Sequence, residues 1–532
     1  MVPLYFPYFS SSPKRFFFAA LSGFLQYLIF PEHNWAFLVW FALVPLLFSG
    51  FQERSGKRAF CLGMISGIVF FSFSCYWIYG VLDNYGNLSW IGAGFLFTLL
   101  VIYLSLYQGI FLYLFSRVSL SSTKLSLLSS PIFWVSTEYL RAHVFTGFPW
   151  CLLGYGFIDL GGIVQLASYT GVYGLSFLSA TTSAIIVSLV FFPSWRYIGF
   201  VLLIMGAFFQ FVEFVSIDLN NKDTNKSYAR IVQPNINVEE KWNKETRKKT
   251  FNQVTKLSLN RLETKSSPQS VEIIVWPETP APFYYKHDPQ FRSTINRITQ
   301  KARATLVFGF VDFKTPTNKE RLNTSFSLEP YNSVGVVNPL GKLISQYDKI
   351  HLVPFGEYVP LEKIFFFIDK ISTESGNFKS GKEIVLSTLE SGKKIGTVIC
   401  YEVVVPDLVR QFVSKGAEVL ITVTNDAWFG DTSAPHQHLF MARMRAVENN
   451  RYLIRAANSG ISALVSPSGQ ILKRTKLNKI DILEVPFWWR EEVTFYSRWG
   501  DIFAYCCLAI TGILLIFQYK NKFLLAYFSG NK

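Results

Sequence analysis

"KKIGTVICYEVVVPD", residues 393–407, is an apolar run of β-strand character that delivers a single cysteine, Cys400, straight into a tyrosine and a glutamate. A buried cysteine is by default a small inert hydrophobe, so Cys400 matters only if something nearby would activate its thiol. Working outward, similar β-branched runs recur: YARIVQ (228–233), VEIIVW (271–276), ATLVFGFV (304–311), NSVGVV (332–337), EVLITVT (418–424) and ISALVSP (461–467). Helix-compatible stretches alternate with them at 289–303, 404–415 and 435–451, and NPLGK (338–342) and SPSGQ (466–470) read as hairpin turns. Apolar strand cores with interspersed helices predict an α/β layered domain over residues 222–490, long enough for its own core.

The rest of the chain is different. Half of the 532 residues are hydrophobic, 17% are aromatic and only 16% are charged, which is greasier than a soluble domain. Apolar runs at 15–31, 34–51, 59–82, 89–116, 126–143, 161–193, 196–215 and 502–519 each approach the roughly 20 residues that a helix needs to cross a bilayer. They predict about eight spans, seven within residues 1–221 and one in a C-terminal segment, 491–532. The fifth is interrupted by Glu138 and Arg141, a pair expected to face a bundle interior or the interface. Lys14, Arg15, Arg54, Lys57, Arg58, Arg117, Lys124, Arg196, Lys520 and Lys522 fall in loops on one side, whereas PEHN (31–34) and LDNYGN (82–87) on the other side lack Lys and Arg. The positive-inside rule then puts both termini in the cytoplasm and the 222–490 segment outside. The first span has no small-residue cleavage site after it and is read as retained. The net charge of +15 is accounted for largely by the cytoplasmic loops, and no nucleic-acid module accompanies it, so a nucleic-acid partner is excluded.

Cys61, Cys75, Cys151, Cys506 and Cys507 lie in or beside expected spans, leaving Cys400 as the sole cysteine of the outer domain. A lone thiol in an oxidising compartment is a candidate nucleophile. At a pKa of about 8.5 only a few per cent of a free thiol is thiolate at neutral pH, so a base or cation is expected beside it to raise that fraction. Three motifs offer partners: Glu278 in VEIIVWPETPAP (271–282), Lys349 and Glu357 in QYDKIHLVPFGEYVP (346–360), and Asn425, Asp426 and Trp428 in TVTNDAWFGDTSAPHQH (422–438). Singly, each charge could be a solvated strand end and each tryptophan mere packing. GNFKSGKE (376–383) misses the phosphate-loop pattern because Glu383 replaces the required Ser or Thr. His436 and His438, two apart in a helix, do not share a face, and no cluster completes a metal site; no metal or cofactor is implied. PLEKIFFFIDKIS (360–372) reads as a flap dipping into the membrane interface, or alternatively as a core element, APFYYK (281–286) as a second loop of that kind, and PFWWREEVTFYSRWGD (486–501) as an aromatic belt.

The order of Glu in WPE, Lys in YDKIHLVPFGE and Cys in CYE resembles the Glu-Lys-Cys triad of the nitrilase superfamily, whose domain is a four-layer α-β-β-α sandwich. With about seven spans before that domain and one after it, the chain resembles the bacterial apolipoprotein N-acyltransferases over nearly its full length. GFPW (147–150), VQPNINVEEKWN (232–243), HLVPFGEYVP (351–360) and NDAWFG (425–430) add to the likeness. The resemblance implies Cys400 as nucleophile, Glu278 as general base, Lys349 as the cation that stabilises the oxyanion and Glu357 as a supporting second glutamate. Tyr401, Glu402, Trp242 and Trp428 stand where the family carries residues that shape the site. It further implies a ping-pong acyltransferase of the bacterial inner membrane, with its catalytic domain on the periplasmic side. Cys400 takes an acyl chain from a phosphatidylethanolamine-like glycerophospholipid and passes it to the α-amine of the diacylglyceryl-cysteine of an apolipoprotein, and nothing requires more than a monomer. Two rivals remain: a membrane-tethered nitrilase or amidase that passes the acyl group to water and accumulates free acid, and a transporter with an inert outer domain, for which Cys400→Ala would leave function intact.

Overall fold

The computed structural model describes residues 12–51, 53–86, 88–192, 199, 206, 226–237, 244–260, 271–280, 284–315, 328–358 and 378–529. The chain divides into two compact units, one comprising residues 1–76, 94–220 and 499–532 and the other residues 77–93 and 221–498.

The first unit is helical, with α1 (Ser12–Ile29), α2 (Val44–Gly50) and α3 (Gly56–Ser74) in its N-terminal part. After α4 (Trp77–Tyr85), which belongs to the second unit, come α5 (Trp90–Ser121), α6 (Thr123–His143) and α7 (Ala167–Phe191). Among the described residues, three helical stretches are long and apolar enough to cross a membrane: Gly56–Ser74, Trp90–Ser121 and Gly161–Phe191. The expected spans at 34–51 and 502–519 coincide with shorter apolar helices, Ala36–Gly50 and Ile502–Gln518, and that at 196–215 lies outside the described residues apart from 199 and 206. Helix also covers 126–143 and, of the expected span at 15–31, all but its last two residues, since α1 ends at Ile29. The expected span at 59–82 is divided, because α3 stops at Ser74 and α4 starts anew at Trp77. Helices approach closely through small residues: a Cβ at Gly63 would lie 2.2 Å from the carbonyl oxygen of Gln108, and one at Gly67 2.7 Å from Ser105 Cα.

The charged pair of the fifth expected span faces inward. Arg141 donates to the carbonyls of Phe148 and Trp150 at 2.8 and 2.9 Å, and Glu138 accepts from the backbone N–H of Leu153 at 2.8 Å. Both charges satisfy irregular backbone that an apolar environment would otherwise leave unpaired.

The second unit is built on two six-stranded sheets. In the first, β1 (Lys226–Gln233), β2 (Ile273–Val275) and β3 (Thr305–Lys314) run parallel, and β4 (Glu329–Val337), β5 (Leu343–Asp348) and β12 (Asp481–Trp488) add antiparallel in the order β12-β1-β2-β3-β4-β5. The second repeats the scheme as β11-β10-β9-β8-β7-β6, with β7 (Lys394–Ile399), β8 (Val419–Thr424) and β9 (Leu453–Ala457) parallel at its centre. Antiparallel β6 (Leu386–Thr388), β10 (Ala463–Val465) and β11 (Ile471–Arg474) flank it. The parallel strands β2 and β8 are buried throughout and read as continuous apolar runs for that reason, whereas the equally buried β9 carries Arg455. Helices α8 (Lys244–Leu259) and α9 (Pro289–Ala302) lay Val254, Phe291, Ile295 and Ile298 on Ile274, Trp276, Leu306 and Phe308 of the first sheet. Asp288 caps α9 by accepting from Phe291 N, with Pro289 at the first helical position. Helices α10 (Pro406–Ser414) and α11 (Ala434–Asn449) belong to the second half; a Cβ at Gly396 of β7 would lie 2.9 Å from Phe412 Cβ, so a glycine is needed for that close approach. Buried Gln233 ties the sheets together, accepting from Ser462 N, Ser462 Oγ and Thr475 Oγ1 and donating to the carbonyls of Lys476 and Lys479.

The aromatic-belt reading of 486–501 needs correction. Its first residues close β12, where Pro486 is tolerated because β12 is an edge strand. Phe487, Trp489 and Tyr496 are buried, and Trp489 Nε1 donates to Ser227 Oγ at 2.8 Å. Of its aromatic residues only Phe495 and Trp499 stand well out of the surface. The 360–372 segment lies outside the described residues, as do 281–283 of the second expected interfacial loop; the described part of that loop is packed, Tyr285 being buried against Phe308 at 5.2 Å between ring centroids.

Candidate active site

Parallel strands leave their carboxyl ends on one edge, and the residues singled out by sequence gather there. Cys400 follows β7 immediately and takes a left-handed backbone conformation, φ +51°, a state that a side chain with a Cβ adopts only under constraint. The constraint comes from Glu402, which is completely buried. Its Oε2 accepts from Ile399 N at 2.8 Å, and its Oε1 accepts from Tyr347 Oη, Ile350 N and His351 N at 2.8, 2.7 and 3.0 Å. One carboxylate thus joins the turn carrying Cys400 to the backbone just after Lys349. Burial pushes the Glu402 carboxyl up, to about 7, against the pull of Lys349 and its donors.

Glu278 follows β2 and Lys349 follows β5. Lys349 Nζ lies 2.8 Å from Glu357 Oε2 and 3.9 Å from Glu278 Oε1, with the lysine side chain 1% exposed. Asn332, on β4, donates from Nδ2 to Glu278 Oε1 at 2.7 Å and to Glu357 Oε1 at 2.9 Å. Asn425 N supports Glu278 Oε2 at 3.0 Å, and Val353 N supports Glu357 Oε2 at 2.8 Å. The Glu278 backbone fits because residue 309 is glycine: a Cβ there would lie 2.6 Å from Thr279 N and 2.9 Å from Glu278 Cα.

Burial works against the Lys349 ammonium, but Glu357 and Glu278 outweigh it and hold its pKa above the ordinary lysine value. The Cys400 thiol behaves otherwise. Burial pushes it up to about 12, the Glu278 carboxylate adds to the rise, and Lys349 only partly opposes it. The sequence-based expectation thus holds in direction for Lys349, whose charge favours the thiolate, and fails for Glu278, whose carboxylate disfavours it; burial outweighs the lysine, so the thiol rests neutral between a carboxylate and an ammonium.

Tyr401 stacks on His351, ring centroids 5.8 Å apart and planes 22° from parallel. Burial, and after it the Lys349 charge, lowers the pKa of His351. Trp428 meets Tyr85 edge-on at 4.9 Å, and its neighbour Phe429 meets Trp77 likewise at 4.9 Å, so α4 packs on the loop that follows Asn425. Trp242 lies outside the described residues. Sequence reasoning missed Asn332 and Tyr347, although both sit inside stretches it had quoted; an asparagine opening an apolar strand gives no sign that its amide serves two carboxylates.

A strand-end Glu, Lys and Cys on a pair of mixed six-stranded sheets define a carbon-nitrogen hydrolase domain, and the family model described as carbon-nitrogen hydrolase matches residues 228–486. A second model, described as the apolipoprotein N-acyltransferase N-terminal domain, matches residues 22–185. The chain is 34% identical over 525 residues to a protein of Geobacter metallireducens named apolipoprotein N-acyltransferase, covering 97% of this chain and 98% of that one. Proteins of the same name from Photobacterium profundum and Pasteurella multocida are each 30% identical, covering 96% and 96%, and 86% and 86%, of the two chains compared. The chain belongs to the apolipoprotein N-acyltransferase family.

Proposed function

We propose that this protein transfers a fatty acyl chain from a glycerophospholipid, through a thioester on Cys400, to the N-terminal α-amine of the diacylglyceryl-cysteine of apolipoproteins. The reading rests above all on one observation: Lys349 and Glu278 share a buried charge cluster, and Glu402 ties the backbone just after Lys349 to the turn that carries Cys400. As the sulfur attacks the donor ester carbonyl, its proton goes to Glu278, which is the base. The oxyanion that forms is held by Lys349, fixed by Glu357 so that its remaining N–H directions serve the reacting oxygen; one such donor is worth about 3 to 4 kcal/mol in comparable sites. Collapse breaks the ester C–O bond, and the leaving lysophospholipid oxygen takes the proton back from Glu278. The acceptor amine then attacks the thioester, gives a proton to Glu278 and expels the sulfur, which regains its proton. Glu402, Tyr401, Trp242 and Trp428 shape the site around these steps.

In this reading the chain crosses the bacterial inner membrane about eight times and holds the 222–490 domain on the periplasmic side, where both lipid substrates reach it by lateral diffusion. Excluding water protects the thioester from hydrolysis. The test is mass spectrometry of purified protein incubated with phospholipid alone. A fatty-acyl mass on the peptide containing Cys400 is expected, followed by its transfer to a diacylglyceryl-cysteine peptide. Active enzyme without that adduct refutes the nucleophile, and free fatty acid in place of N-acyl peptide selects a hydrolase.

A further inference from the structure

Behind Cys400 lies a buried polar chain that neither substrate step uses. His438, on α11, places Nε2 3.3 Å from the carbonyl oxygen of Cys400. Its Nδ1 lies 3.0 Å from Asp426 Oδ1 and 3.1 Å from Arg455 Nη2. Arg455 Nη2 donates to Asp426 Oδ2 at 2.7 Å, Arg455 Nε to the Ile461 carbonyl at 3.2 Å, and Thr424 Oγ1 to Asp426 Oδ1 at 3.0 Å. The His438, Asp426 and Arg455 side chains are at most 1% exposed. Room for the Asp426 carboxylate exists because residue 460 is glycine, where a Cβ would sit 2.2 Å from Asp426 Oδ2.

A carbonyl oxygen only accepts, so the imidazole must carry its proton on Nε2. In the neutral ring Nδ1 then accepts from Arg455, and in the imidazolium it donates to Asp426; both states keep Nε2–H on Cys400. The ring cannot turn away, since Asp426 and Arg455 hold its other edge. The left-handed Cys400 is thereby gripped twice: Glu402 holds the N–H of the residue before it, and His438 holds the carbonyl of Cys400 itself.

We infer that His438 is a positioning residue for the nucleophile: by donating Nε2–H to the Cys400 carbonyl, braced through Asp426 and Arg455, it fixes the turn that aims the Cys400 sulfur between Glu278 and Lys349. This rests on Cys400 being the nucleophile. It also gives His438 a role that metal-ligand spacing could not suggest.

A glutamine amide nitrogen falls where imidazole Nε2 lies, and an asparagine nitrogen where Nδ1 lies, so His438→Gln keeps the donor to Cys400 and His438→Asn keeps only the partner of Asp426. With full-length protein in detergent, two rates are measured: alkylation of Cys400 by iodoacetamide, read on its peptide, and acyl-adduct formation from phospholipid. His438→Gln is expected within about threefold of the parent in both. His438→Asn is expected to fall at least tenfold in both, with an unchanged KM for phospholipid and a Tm equal to that of His438→Gln. Equal rates in the two variants, whether both normal or both lost, overturn the inference. If the parent alkylates at Cys400 but forms no acyl adduct, the proposed function fails while the alkylation comparison still decides the role of His438.

Discussion

Asn332 donates its side-chain amide to Glu278 at 2.7 Å, and the same nitrogen reaches Glu357 at 2.9 Å, so one amide sets the spacing of the two carboxylates that flank Lys349. Hydrogen bonds to charged groups contribute about 1.5 to 3 kcal/mol each, and more is lost when a buried partner is left alone. Asn332→Ala is therefore expected to slow acyl-adduct formation on Cys400 by at least tenfold, and Asn332→Asp, which brings a third carboxylate into the cluster, to slow it more than the alanine change does. Adduct rates by mass spectrometry decide it; a parent-like rate in Asn332→Asp would remove Asn332 from the site.

The neutral resting thiol gives a prediction with opposite signs for two neighbours. Glu278 helps raise the Cys400 pKa and Lys349 lowers it. Glu278→Gln should therefore bring the thiol pKa down and speed iodoacetamide alkylation at pH 9, while abolishing acyl transfer for want of a base. Lys349→Met should slow alkylation and abolish transfer. In the parent, alkylation should keep rising with pH through pH 10, because the thiol titrates only near 12. A plateau near pH 8 would mean an ordinary or activated thiol, contrary to this account.

Gly309→Ala tests the support beneath Glu278. A methyl group 2.6 Å from Thr279 N and 2.9 Å from Glu278 Cα cannot be accommodated without moving backbone on both sides. Overpacking of this kind costs about 1 to 3 kcal/mol, so Tm should fall. Adduct formation should fall further than the loss of folded protein explains, since the shift displaces Glu278. Unchanged rates per folded molecule would show that Glu278 tolerates the movement.

The parts of the fold legible in sequence are those where one physical cause dominates. Parallel strands without a charged residue, such as β2 and β8, announce themselves as apolar runs because both faces are covered, and Glu278, Lys349 and Cys400 stand at strand ends, where a side chain can face a cleft. Other elements were hidden by residues with second duties. Strand β9 was obscured by Arg455, a charge that looks misplaced until Asp426 is found beside it. Strand β12 was obscured by Pro486 and by aromatic residues that suggest a membrane belt, though Phe487 and Trp489 are buried. The break between α3 and α4 could not be read because both sides of it are apolar. The direction of the thiol shift was also out of reach, since it depends on burial more than on which charges are nearby.

Asp426 carries the buried guanidinium of Arg455, and its removal should be felt mainly as stability. Breaking a buried ion pair by deleting one partner costs about 3 to 5 kcal/mol, because the remaining charge is left in a dry interior. Asp426→Asn should accordingly lower Tm by several degrees at neutral pH. The pH dependence has a defined sign. Burial disfavours the Asp426 carboxylate, but Arg455 and His438 outweigh it and hold its pKa well below the usual carboxylate range. A depressed folded pKa contributes stability that is present above the unfolded value, about 3.9, and is lost as pH falls through the folded one. The Tm gap between parent and Asp426→Asn should thus stay constant from about pH 5 to 8 and begin to narrow only below about pH 4, measured by thermal unfolding in detergent. A gap that closes above pH 5 would mean that Asp426 is already protonated in the folded protein and that Arg455 finds its counter-charge elsewhere.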